Sequence, residues 1–66
     1  MRVVLRNPKR ELDLPAPKNV AALLRNLEMV PESVLVIRND ELVPHDVRLD
    51  DADSVEIRPV ISGGAH

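Results

Sequence analysis

The chain has no cysteine, phenylalanine, tryptophan or tyrosine, and only two glycines among its 66 residues. Without cysteine there is no disulfide, no zinc–thiolate site and no cysteine nucleophile, which suits a reducing compartment. Without aromatic rings the core must be aliphatic, and the stacking platforms used by single-stranded nucleic-acid binders are missing. No apolar run reaches the roughly 18 residues of a membrane span, and Met1-Arg2 does not open a signal peptide. We therefore expect a cytoplasmic protein with no membrane contact. At this length it is one domain, near the lower limit for a chain that folds without staples.

Charge is unevenly spread along the chain. Residues 1–27 carry six basic and two acidic side chains, residues 28–66 three basic and nine acidic, for a net charge of −2. An acidic half next to the C-terminal tail would repel phosphate backbones and attract a basic protein surface. Direct nucleic-acid binding is not expected.

Hydrophobic periodicity places the elements. Met1 to Arg6 reads as a strand with Val3 and Leu5 on one face and Val4 on the other. Asn7-Pro8-Lys9 is turn chemistry, and Arg10 to Leu14 returns with Leu12 and Leu14 inward. Pro15 and Pro17 cannot donate to a ladder and stop the hairpin. Asn19 is an N-cap for a helix from Val20 to about Leu27, whose stripe is Val20, Leu23, Leu24 and Leu27. So short a helix needs a sheet beneath it. Val34 to Arg38 reads as a strand, Asn39-Asp40 as a two-residue turn and Glu41 to Val43 as a brief return. Residues 45–53 form an acidic connection anchored by Leu49, with Asp50, Asp51 and Asp53 as a solvated turn. The last strand, Ser54 to Arg58, points Val55 and Ile57 inward, and Pro59 is expected to end its ladder.

Enzyme chemistry is not visible. His45 and His66 are the only histidines, too few for a metal site of three or four convergent ligands. Ser33, Ser54 and Ser62 have no nearby histidine with an orienting acid, and no glycine loop cradles phosphate. The aspartates lack the glycine turn and closing glutamate of a calcium loop. No catalytic residue, metal or cofactor is expected.

Both glycines stand together at the end, in Pro59-Val60-Ile61-Ser62-Gly63-Gly64-Ala65-His66, while every internal turn is made without glycine. A bare tail of this kind can enter a slot too narrow for side chains. The residues alone equally allow a frayed terminus of small residues.

Hairpin, Val-x-x-Leu-Leu helix, valine-rich strand and Gly-Gly tail together resemble the ThiS/MoaD group of β-grasp sulfur carriers over nearly the whole chain. The opening Met1-Arg2-Val3-Val4-Leu5-Arg6 and the closing Ile61-Ser62-Gly63-Gly64 look most like its TtuB branch, the carriers for tRNA 2-thiouridine synthesis. The resemblance implies an α+β, ubiquitin-like β-grasp fold: a mixed sheet of four or five strands with one helix packed across it, the first and last strands central and parallel. It places a β-grasp domain at residues 1–61 and a tail of Ser62, Gly63 and Gly64 with the extension Ala65-His66 at residues 62–66. Relatives often have glycine where this chain has Glu28, Asp40 and Ala52, so strained turns are expected at all three.

The resemblance also implies a mechanism. An E1-like adenylating enzyme activates the Gly64 carboxylate, and a persulfide from a sulfur donor such as a cysteine desulfurase converts it to a thiocarboxylate. A sulfur-accepting enzyme, a tRNA thiolase in this branch, then takes the sulfur. Val60 and Ile61 are candidates for docking onto the activating enzyme, although they also suit the end of a core. Typical carriers stop at the second glycine, so Ala65 and His66 read either as a pro-extension removed by a JAMM-type metalloprotease or as a cloning scar. The alternatives are a ubiquitin-like modifier conjugated to lysines, a carrier for thiamine thiazole or amino-acid synthesis, and an interaction domain without tail chemistry.

Overall fold

A computed structural model describes residues 1–6 and 9–60. Along the chain come β1 (Arg2–Leu5), β2 (Arg10–Asp13), α1 (Val20–Asn26), a single 3-10 turn (Pro31–Ser33), β3 (Val34–Arg38), β4 (Glu41–Leu42) and β5 (Ser54–Pro59). The strands form one mixed sheet in the order β2-β1-β5-β3-β4. β1 pairs with β5 in parallel, Val3 opposite Val55 and Leu5 opposite Ile57, and all other pairings are antiparallel. The five strands fall within the four or five expected of a β-grasp sheet, with β1 and β5 central and parallel as the resemblance implies. The 3-10 turn had no counterpart in the sequence reading.

The helix starts where its cap predicts, since the Asn19 side chain accepts from the Ala22 N–H at 2.9 Å. It ends at Asn26, and the following residues satisfy its last carbonyls. Val20, Leu23 and Leu24 are fully buried against Val3, Val36, Val55 and Ile57. Leu12, Leu14, Leu27, Val47 and Leu49 close the edges of this aliphatic core.

Two expected turn strains are present and one is not. Glu28 has φ 59° and Asp40 φ 71°, the left-handed region where a Cβ is unfavourable, and Asn39 joins them at φ 50°. Ala52 lies outside that region, so no glycine is needed there. The loop around it is shaped by hydrogen bonding: Asp50 accepts from the Ala52 N–H, and Asp53 accepts from the Asp50 N–H. Asp51 accepts from the Ala16 N–H at 2.8 Å. The three aspartates are a turn, as expected, but each also ties backbone in addition to meeting solvent.

Pro59 requires a second correction, because it belongs to β5 and does not end the ladder. The Val60 N–H donates to the Ser33 carbonyl at 2.8 Å, one rung beyond the Pro59–Val34 pair. In an antiparallel ladder only alternate residues donate to a given neighbour. Proline occupies a rung whose missing N–H would point away from β3, so the β3–β5 ladder is not interrupted.

Glu28→Gly and Asp40→Gly should each raise stability by about 1 kcal/mol, because they remove Cβ crowding at positive φ. Asn39→Gly should not, since the Asn39 side chain accepts from the Ser54 N–H and donates to Asp53. Urea unfolding of the three variants checks this contrast.

Candidate functional site

The strand that leads to the tail is the middle of five, clamped between β1 and β3. Among the described residues its last hydrogen bond is that of Val60, which stands at the sheet rim with 38% of its surface exposed. Of the expected site residues only Val60 can be placed. Ile61, Ser62, Gly63, Gly64, Ala65 and His66 lie outside the described residues.

One face of the sheet is covered by α1, and the other carries a surface that the sequence reading overlooked. Outward residues there fall in rows set by the register. Val4, Glu56 and Ile37 stand side by side on β1, β5 and β3, with Leu42 next on β4. In the adjacent row nearer the tail, Arg58 stands beside Leu35. Leu35 is 44% and Leu42 64% exposed, and they line a shallow groove with Val43, Pro44 and His45. Residues 34–37 read as a continuous apolar run. Once one helix covers one face, alternation sends Leu35 and Ile37 to the other, and that signal was available in the sequence. An apolar patch rimmed by charge on a small domain marks an interaction surface.

The charged rim is built around Glu56. Its Oε2 accepts from the Nε of Arg6 and from the Nε of Arg58, both at 2.8 Å. Arg6 follows the last β1 residue paired to β5, so parallel pairing sets the two arginines beside each other at the tail end of the central strands. The Arg58 and Arg6 hydrogen bonds hold the Glu56 carboxyl below its ordinary value of 4.5.

The acidic cluster lies elsewhere. Asp50, Asp51 and Asp53 precede β5 and the tail follows it, so the length of the strand, roughly 20 Å, separates them. The expectation of an acidic surface next to the tail is therefore wrong: proximity in sequence was mistaken for proximity in space. The tail end carries Arg6, Lys9, Arg10 and Arg58 together with Glu56 and Glu32, the latter in the turn whose Ser33 carbonyl holds Val60. At the far end Asp53 is held below its ordinary value of 3.8 by the Asn39 side chain and the Asp50 N–H.

Among the described residues, no group of three or more His, Asp or Glu is placed to hold a metal ion, and no helix is long and apolar enough to cross a membrane. The geometry offers an apolar face rimmed by charge beside Val60, the last described residue.

A carboxylate whose value is lowered on folding stabilises the fold above its unfolded value, and that contribution is lost as pH falls through the folded value. Wild-type protein should therefore be more thermostable than Glu56→Gln at neutral pH, and the gap should close as pH falls below about 4.5. Melting temperatures of both proteins between pH 7 and pH 3 test this. A gap independent of pH would mean that glutamine disturbs packing instead.

Comparison with known proteins places the chain. It matches the ThiS family over residues 2–64. It is also 35% identical over 65 residues to the Sulfur carrier protein TtuB of Thermus thermophilus, an alignment covering 97% of this chain and 100% of that protein.

Proposed function

The chain belongs to the ThiS family, and on that premise we propose that it is a sulfur carrier whose reactive group is the carboxyl of Gly64. The observation that carries this reading is the fixed base of the tail. The central strand is tied down as far as Val60, and the family match runs on to Gly64 and leaves Ala65 and His66 outside it. A glycine carboxylate attacks the α-phosphate of ATP in an E1-like enzyme, and pyrophosphate leaves. The acyl adenylate is electrophilic, and with no Cβ on the glycine the carbonyl is open to attack. A persulfide sulfur supplied by a cysteine desulfurase attacks that carbon and expels AMP. The new bond is C–S, and attack of a thiol on the donor-side sulfur of the persulfide's own S–S bond then releases the thiocarboxylate and leaves a disulfide between that thiol and the donor. The chain itself catalyses none of these steps; it is the substrate of each.

The acceptor we favour is a tRNA thiolase, on the likeness of both chain ends to the TtuB branch. Delivery would pass through that enzyme and not through contact of this chain with RNA. Docking onto the activating enzyme would use Val60 and Ile61 together with the outward Leu35, Ile37 and Leu42. With Gly64 in a peptide bond to Ala65 there is no carboxylate to activate, so Ala65 and His66 must be removed first, and a JAMM-type zinc peptidase suits that cleavage.

Three outcomes test the proposal. Mass spectrometry of protein from its native cell should show loss of one alanine and one histidine, and only that form should take up sulfur. Thiocarboxylate on the uncleaved chain would refute both the processing step and the choice of Gly64. In a chain ending at residue 64, Gly64→Val should fold normally yet give no ATP–pyrophosphate exchange. Leu35→Ser with Leu42→Ser should raise the KM of activation on the order of tenfold, the loss expected for two central contacts of an interface.

A further inference from the structure

Resting on the carrier reading, we propose that Arg6 and Arg58 form a recognition pair that receives an acidic side chain of the adenylating partner and so sets the register in which the tail is inserted.

Two guanidiniums side by side on neighbouring strands repel each other, and such a juxtaposition is unfavourable unless something bridges it. Glu56, one outward position back along β5, supplies the bridge through a single oxygen, Oε2, which takes the Nε of both arginines. One carboxylate offsets only one of the two charges. Because Nε alone is engaged, the terminal Nη groups of both arginines have no protein partner among the described residues. Their side chains are 42% and 53% exposed. The result is a pair of preoriented forks with a surplus positive charge. A planar fork of this kind binds carboxylate in a fixed direction, which an ammonium group does not.

The position of the pair selects the kind of partner. Arg58 adjoins Leu35, so the pair is continuous with the apolar patch on one side, and it stands at the end of the strand that becomes the tail. A surface that is half aliphatic and half cationic fits a protein carrying an apolar knob beside an aspartate or glutamate. Nucleic acid would use the arginines but leave Leu35, Ile37 and Leu42 uncovered. The aspartates at the opposite end of β5 would turn the approaching molecule so that the tail meets a negative partner first.

The test is calorimetric titration of the full chain, and of the chain processed to Gly64, into its adenylating enzyme with ATP present. Arg6→Ala and Arg58→Ala should each weaken Kd by about tenfold, as for loss of a charged hydrogen-bond partner, with a melting temperature lowered no further than by Glu56→Gln, which loses the same charge-assisted contacts. Arg10→Ala, which removes a nearby charge outside the pair, should stay within about twofold. Raising salt should weaken wild type more than the double Arg6→Ala/Arg58→Ala variant. Wild-type binding with unchanged Kd in both single variants would overturn the pair alone, as would an equal loss in Arg10→Ala, which would indicate diffuse charge. Normal activation with a defect confined to the tRNA thiolation step would also overturn it, in favour of RNA contact. If wild type shows neither binding nor ATP–pyrophosphate exchange, the carrier reading falls and the pair's role with it.

Discussion

Everything in this fold hangs on the parallel pairing of β1 with β5, which joins residues some fifty positions apart at the middle of the sheet. Val3 and Val55 face each other there, both fully buried beneath Leu23 and Leu24 of the helix. The hairpin strand β2 is added to one side of that pair and the β3–β4 unit to the other. Neither half could cover its apolar face alone, because a 66-residue chain without aromatic rings has little area to bury. Loop closure must precede the pairing that rewards it. The buried helix stripe offsets that loss by capping the pair as it forms.

The local elements were legible because each is signalled within a few residues. Asn19 and the stripe from Val20 mark the helix, alternation marks β1 and β5, and Asn39-Asp40 marks a turn at positive φ. The parallel centre was not legible from the residues. Nothing in Met1 to Arg6 or Ser54 to Arg58 distinguishes a parallel partner from an antiparallel one, and the family resemblance supplied it. Pro59 misled because a proline's lack of a donor matters only on the rungs that donate, and register is a property of the pair. Ala52 misled because glycine in relatives does not prove positive φ here; aspartate side chains shape that loop instead.

The candidate site was half legible, for a related reason. The Gly-Gly end declares itself in sequence, since a chain that avoids glycine at every internal turn has placed both at one point. The outward apolar and charged face does not, because it is assembled from β1, β3, β4 and β5. Leu35, Leu42, Arg6, Glu56 and Arg58 become neighbours only after strand order is known. The same step reversed the electrostatic reading: Asp50, Asp51 and Asp53 are close to the tail in number and a strand's length away in space.

That separation gives the molecule its working geometry. Val60 is the last described residue, and four residues lie between it and the end of Gly64. Fully extended, they span at most roughly 14 Å. On the carrier proposal, an enzyme that activates Gly64 would place its reacting phosphate within that reach of the sheet rim while contacting the face that carries Leu35 and Arg58. Under that proposal recognition would not crowd the reaction, since the proposed contacts lie on the strands and the proposed reacting carbonyl belongs to a glycine. Binding energy from the face would then be available to hold the tail at the reacting centre, which is how remote contacts assist a chemical step.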